Sequence, residues 1–145
     1  MTEPYTVLVT GSRNWTDNLL IHRQLNNQLD FAYTRSRDFK LIHGASPAGG
    51  ADEIAEDWYL FEASDYYESK YAASKFYIDI DRVAYPADLE TYGKKGFFLR
   101  NKAMIDSKPD HVLGFISGES SRGTEMTLEL ANKAHIPSTI FRRYT

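Results

Sequence analysis

The sequence predicts one α/β domain, a parallel sheet with helices on both faces. Two observations lead to this fold class. Short apolar, β-branched runs alternate with helix-like stretches through all 145 residues, without a repeat or an interdomain linker. Three of those runs also end in loops that contain glycine and small polar residues, as strand-to-helix loops do. A chain of this length can bury a core of its own, so we expect residues 1–145 to form a single domain.

The first half of the chain predicts two strands and two helices. The run at residues 5–10 is typical of a strand buried on both faces, and Thr16 or Asp17 can cap the helix behind it. Apolar residues then recur at spacings of four on one helical face. A second strand at 39–43 is followed by a glycine-containing loop and by a helix that begins near Ala51.

An aromatic-rich helical insertion is predicted at about residues 62–78. Tyrosines dominate this stretch and its neighbours, but the charges between them are mainly acidic, which disfavours stacking on nucleic-acid bases. Aromatic side chains are enriched in protein interfaces. We therefore expect the segment to cover the core or to form the interface of a homo-oligomer, a dimer or larger.

The second half of the chain predicts three strands and two helices. The strands fall at 77–85, 111–116 and 138–144, and the helices at 97–106 and at about 124–135. The apolar stripe predicted for the last helix consists of Met126, Leu130 and Ala134.

Three loops are predicted to meet in space although they are far apart in the sequence. Right-handed crossovers place every strand-to-helix loop of a parallel sheet at the same edge, which brings together residues 11–16, 44–50 and 117–123. Glycine lets a ligand approach the backbone, and helix starts offer N–H groups to anions. Arg13 and Arg122 can bind a phosphate. One such loop alone is usually only a tight turn, but three together favour a nucleotide-like, phosphate-bearing ligand.

Composition and missing motifs exclude several classes of protein. There is no cysteine, and none of the four histidines has the spacing of a metal site, so no metal and no required cofactor are expected. The net charge of −3 makes duplex DNA an improbable partner. Neither G-x-G-x-x-G nor the P-loop pattern occurs. Without a signal peptide or a membrane-spanning run, we expect a cytoplasmic protein.

Four ordered segments resemble the SLOG superfamily, in particular its YspA, or cpYpsA-related, group. They are VLVTGSRNWTD, IHGASPAGGADEIAEDW, YPADLETYGKKGFFLRNKAMID and VLGFISGESSRGTEM. The resemblance implies a Rossmann-like domain, in a bacterium or a phage-infected host, that binds nucleotides or their derivatives. Relatives include the Lonely Guy phosphoribohydrolases and the DNA-processing recombination mediator. Arg100 is similar to the catalytic arginine of the phosphoribohydrolases, whereas Thr127 occupies the position of their catalytic glutamate.

We therefore expect a nucleotide-binding protein that acts as a sensor, a sequestering protein or a carrier. The first alternative is an N-glycosidic-bond hydrolase in which Arg100 and Glu125, or Asp52 in place of Glu125, are catalytic. The second alternative is a single-stranded DNA-binding module. The expected ligand-binding residues are Gly11, Ser12, Arg13, Gly44, Ala45, Ser46, Gly50, Asp52, Arg100, Asn101, Ser117, Gly118, Arg122, Gly123 and Thr124.

Overall fold

The apolar runs form five parallel strands, in the sheet order β3-β2-β1-β4-β5. The computed structural model describes residues 3–118 and 121–144. Because β1 pairs with β2 on one side and with β4 on the other, the chain changes direction across the sheet next to β1. The strands are β1 (Tyr5–Gly11), β2 (Phe39–His43), β3 (Ile80–Ala84), β4 (His111–Ser117) and β5 (Ser138–Arg143).

Six α-helices connect the strands in the described part of the chain. Asp17 caps α1, since its Oδ1 accepts from the N–H of Leu20 at 3.1 Å. One π-helical turn, Trp58–Glu62, joins α2 to α3. The helices are α1 (Asn18–Thr34), α2 (Ala51–Asp57), α3 (Ala63–Tyr71), α4 (Leu89–Tyr92), α5 (Lys95–Asp106) and α6 (Arg122–Lys133).

Alternating side chains of the central strands build one core on each face of the sheet. Val7 and Val9 of β1 pack with α1 and α2, whereas Leu8 between them packs with α5 and α6. All three are fully buried, as expected for a parallel strand covered on both faces. The predicted single domain, with a parallel sheet flanked by helices, is confirmed.

The buried face of α6 differs from the predicted stripe. Met126 and Leu130 are only partly buried and Ala134 is exposed. The buried residues are instead Thr124, Thr127, Leu128 and Ala131. Leu128 fits over Gly114 of β4, where a Cβ atom would lie 3.0 Å from Leu128 Cδ1. The prediction counted only apolar residues and so missed two threonines with hydrogen-bonded hydroxyls: that of Thr124 accepts from Ser121 just before the helix, and that of Thr127 donates to the Gly123 carbonyl.

Two boundaries in the second half also differ from the prediction. β3 begins at Ile80 rather than at 77, because the N–H of Ile78 donates to the hydroxyl of Tyr67 and so holds the preceding chain against α3. The helix predicted at 97–106 begins at Lys95, and the short α4 precedes it.

The aromatic segment and the π-helical turn before it pack against α1 of their own chain. The indole N–H of Trp58 donates to Asn26 at 2.9 Å, and Asp30 accepts from the hydroxyls of Tyr66 and Tyr71, each at 2.7 Å. Tyr67 is 9% exposed and contributes to the core. The segment thus covers the core, as one of the two sequence interpretations proposed, while its role in an oligomer stays a prediction.

Candidate functional site

A cavity of about 980 Å³ lies at the carboxyl ends of β1, β2 and β4. This is the place where the strand order reverses, and open parallel sheets bind ligands there. Its volume is that of a small-molecule site. All three predicted loops contribute to it, together with α5 and the start of α6. Of the predicted residues, the lining includes Gly11, Ser12, Arg13, Gly44, Ala45, Ser46, Asp52, Arg100, Asn101, Ser117, Arg122, Gly123 and Thr124.

The first loop ties β1 to β4. The N–H of Ser12 donates to the carbonyl of Phe115 at 2.8 Å, and the Ser12 hydroxyl accepts from the N–H of Ser117 at 2.9 Å. Gly11 has no room for a side chain, because a Cβ would lie 2.7 Å from the Phe115 carbonyl oxygen. The start of α1 behind this loop is capped by Asp17, so it offers the cavity no open helix terminus. Arg13 is exposed and lines the cavity with its side chain.

The conformation of the second loop is fixed by a hydrogen bond to the buried His43. Ala45 has a φ of +53°, and its N–H donates to His43 Nδ1 at 3.0 Å. Since Nδ1 accepts this bond, the proton resides on Nε2, which donates to Glu56 at 2.7 Å. His43 is 2% exposed and fully hydrogen-bonded, so its role is to shape the loop.

Arg100 reaches the same loop from α5. Its Nη1 donates to the carbonyl of Gly44 and, at 3.4 Å, to that of Tyr85, while its Nε donates to Asn101 Oδ1 at 2.8 Å. A Cβ at Gly44 would lie 2.5 Å from Nη1, so glycine is what admits the guanidinium here. The buried Asn101 therefore orients Arg100.

Asp52 is the carboxylate nearest to this arginine. It is 9% exposed, and its Oδ2 accepts from the N–H of Ser46 at 3.2 Å. Burial raises the pKa of Asp52, and the N–H groups of Ser46 and Gly44, together with the charge of Arg100, only partly oppose this. Arg100, rather than Arg13, is the arginine whose charge acts on Asp52. Burial also lowers the pKa of Arg100, and the positive charge of Arg13 lowers it further.

The start of α6 faces the cavity. No side chain of the described residues caps its first turn, and Gly123 and Thr124 line the cavity wall. A Cβ at Gly123 would meet nothing within 4 Å, so the approach to the backbone is open. The positive end of a 12-residue helix thus adds to the charges of Arg13 and Arg122.

Three predicted residues do not line the cavity. Glu125, a candidate acid, points away and lies 4.0 Å from Arg142. Gly50 and Gly118 both have positive φ, and Gly50 packs behind the first loop, where a Cβ would lie 2.5 Å from Arg13 Cα. Thr127 is fully buried and donates to the Gly123 carbonyl at 3.0 Å, so it does not replace the glutamate of the phosphoribohydrolases in the cavity.

Sequence reasoning missed the apolar wall of the cavity. The ring of Phe97 lies near both arginines, with its centroid 5.7 Å from the Arg13 guanidinium carbon and 5.8 Å from that of Arg100. Its position three residues before Arg100 on a helix could have signalled this contact. The rest of the wall comes from Pro47, Ala48, Pro86, Ala87, Leu89, Met104 and Met126.

The described residues contain no cluster of three or more His, Cys, Asp or Glu side chains that could hold a metal ion. Within the same residues, no helix combines the length and the apolar character that crossing a membrane requires.

Two comparisons with known proteins found a match. The family model described as "YspA, cpYpsA-related SLOG family" matches residues 5–59, which contain β1, β2 and the first two loops of the cavity. The Gene 61 protein of Mycobacterium phage D29 is 31% identical over 131 residues, or 90% of this chain and 91% of that protein. No solved structure matches the chain significantly.

Proposed function

This chain belongs to the YspA, cpYpsA-related SLOG family, and from that premise we propose that it binds a nucleotide or a nucleotide-derived ligand. The binding site is the cavity at the carboxyl ends of β1, β2 and β4. Binding without turnover would make the protein a sensor, a sequestering protein or a carrier of its ligand.

One observation carries this proposal: the cavity combines a cationic end with an apolar wall. Arg13, Arg100 and the open start of α6 suit a phosphate, whereas Phe97 and its apolar neighbours suit a base or another flat ring. A free anion such as phosphate would leave the apolar wall unused. A purely apolar ligand would leave the arginines without a counter-charge.

The proposal is tested by a thermal-shift screen with nucleoside mono-, di- and triphosphates, NAD, ADP-ribose and cyclic dinucleotides. A ligand that binds only the folded state raises the melting temperature. At a ligand concentration of 100 times the Kd, the free energy of unfolding increases by about 2.7 kcal/mol. We expect at least one of these compounds to stabilise the protein, and Arg13→Gln to abolish that shift. Arg35→Gln at the end of α1, outside the cavity, is the matched control. No shift with any compound would overturn the proposal.

A second candidate function is hydrolysis of an N-glycosidic bond. For this reaction, the position of Asp52 makes it a better candidate for the acid–base residue than Glu125. Asp52 is a buried cavity carboxyl with a raised pKa, as a general acid requires. Incubation of nucleoside monophosphates with the protein, followed by chromatography, measures release of the free base. We expect no release. Base release that disappears in Asp52→Asn and persists in Glu125→Gln would establish the hydrolase instead.

A further inference from the structure

We propose that Glu56 is a positioning residue for the cavity, and that it acts through His43 on the peptide group between Gly44 and Ala45. The tautomer of His43 sets the orientation of this peptide group, and the peptide group in turn fixes Arg100 in the cavity wall. This inference rests on the proposed function, since it says what keeps the ligand site in its binding conformation.

The peptide group between Gly44 and Ala45 is hydrogen-bonded on both sides. Its N–H, that of Ala45, donates to Nδ1 of the buried His43 at 3.0 Å. Its carbonyl, that of Gly44, accepts from Nη1 of Arg100. Because a peptide group is planar, its N–H and its C=O turn together. The bond to His43 on one side therefore aims the carbonyl at Arg100 on the other.

The observed orientation of this peptide group needs support. Ala45 has a φ of +53°, in the left-handed region that residues with a Cβ adopt only at a cost. Turning the peptide plane over would move Ala45 to a negative φ, and the preceding Gly44 tolerates the accompanying change of ψ. The hydrogen bonds to His43 and Arg100 oppose that rotation.

The tautomer of His43 decides between the two orientations. With the ring proton on Nε2, Nδ1 accepts from an N–H, whereas with the proton on Nδ1 the ring donates to a carbonyl instead. The second tautomer therefore favours the turned peptide group, in which the Gly44 carbonyl faces His43 and Arg100 loses an acceptor. Glu56 selects the first tautomer, because its Oε1 accepts from His43 Nε2 at 2.7 Å.

Arg82 of β3 holds Glu56 in place. Its Nη2 lies 2.7 Å from Oε2 of Glu56, so the carboxylate binds Arg82 with one oxygen and His43 with the other. Glu56 does not line the cavity, whereas Gly44, Ala45 and Arg100 do. A contact between α2 and β3 thus controls the shape of the ligand site without touching the ligand.

Nuclear magnetic resonance tests the inference without a ligand. The 15N chemical shifts of the imidazole report the tautomer of His43, and amide hydrogen exchange reports the N–H of Ala45. In Glu56→Ala we expect the Nδ1–H tautomer to appear and the exchange of Ala45 to become about 10-fold faster relative to the amides of β4. Glu56→Gln should restore both readouts, since its amide oxygen can accept from Nε2. Asp57→Ala, which removes the exposed acid next in the sequence, is the matched control.

Isothermal titration calorimetry tests the consequence for the ligand, with AMP, GMP, CMP, UMP and NAD as probes. For a probe that binds, Glu56→Ala should raise the Kd about 10-fold relative to Asp57→Ala, because fewer molecules hold the binding conformation. Glu56→Gln should bring the Kd back to within about 2-fold of the original value.

A second pair of variants replaces the ring itself. The side-chain oxygen of an asparagine can accept where Nδ1 lies, whereas a glutamine is one methylene longer and places its amide near the position of Nε2. We therefore expect His43→Asn to bind the same probe more tightly than His43→Gln.

Three results would overturn the inference. They are an unchanged tautomer and Ala45 exchange in Glu56→Ala, an unchanged Kd in that variant, and equal affinities of His43→Asn and His43→Gln. Failure of every probe to bind the original protein would instead overturn the proposed function, and the resonance measurements would still decide whether Glu56 orients the peptide group.

Discussion

At the scale of single residues, the burial of Asp52 in the cavity wall lowers the stability of the protein at neutral pH. Its folded-state pKa lies above the ordinary value of 3.8, so its contribution to stability is present below that pH and is lost as the pH rises through the folded value. We predict that Asp52→Asn matches the original protein near pH 4 and exceeds it in unfolding free energy at pH 7.5. Urea denaturation at both pH values measures this. The exposed Asp57→Asn on the same helix is the control, and a loss of stability on Asp52→Asn at pH 7.5 would contradict the sign.

A comparison of Gly50 with Gly118 distinguishes the cost of backbone strain from the cost of a steric clash. Both have positive φ, +81° and +84°, which an alanine tolerates poorly, at a cost of about 1–2 kcal/mol. Only at Gly50 would a Cβ also collide with the first loop, at Ser12 and Arg13, whereas the space at Gly118 is open. We expect Gly50→Ala to lower the unfolding free energy by about 3 kcal/mol, clearly more than Gly118→Ala. Equal losses in urea denaturation would show that collision contributes nothing.

At the scale of elements, the strands were predictable and the details of the helices were not. A buried parallel strand is a continuous apolar run, so β1, β2 and β4 could be located to within a residue. The face of α6 was wrong because burial of Thr124 and Thr127 depends on hydrogen bonds that an apolar pattern does not record. Likewise, the anchoring of Arg100 by Asn101 and its contact with Phe97 depend on side-chain geometry.

The attachment of α3 to α1 depends on Asp30. Burial alone would raise the pKa of Asp30, but hydrogen bonds from Lys70, Tyr71 and Tyr66 together lower it. Its contribution to stability is therefore present above 3.8 and is lost as the pH falls, opposite to Asp52. Asp30→Asn should cost about 1–3 kcal/mol at pH 7 and less at pH 3, since an amide cannot accept from three donors. Tyr66→Phe, which removes one of the bonds, should cost less, and an equal or larger loss would contradict the central role of Asp30.

At the scale of the whole molecule, topology explains why the location of the site was predictable. The crossover rule brought three distant loops to one sheet edge, and the structure places all three around one cavity. The same rule also places the loop after β3 at this edge, but the prediction considered only loops with glycine and small polar residues, so it left out Pro86, Ala87 and Leu89 of the wall.

The last prediction concerns self-association. Because Trp58 and Tyr67 are buried in their own chain, an interface on residues 58–78 must use the side chains that remain exposed, among them Leu60, Phe61 and Tyr77, which are 53%, 68% and 80% exposed. We expect light scattering to give at least twice the 16.6 kDa of one chain, and Phe61→Glu to reduce the mass to that of one chain that stays folded by circular dichroism. Leu19→Glu, at an equally exposed leucine of α1, should leave the mass as it is. Tyr67→Glu cannot decide the question, because a charge at that buried position unfolds the segment. A mass of 16.6 kDa for the unmodified protein at micromolar concentration would exclude the interface.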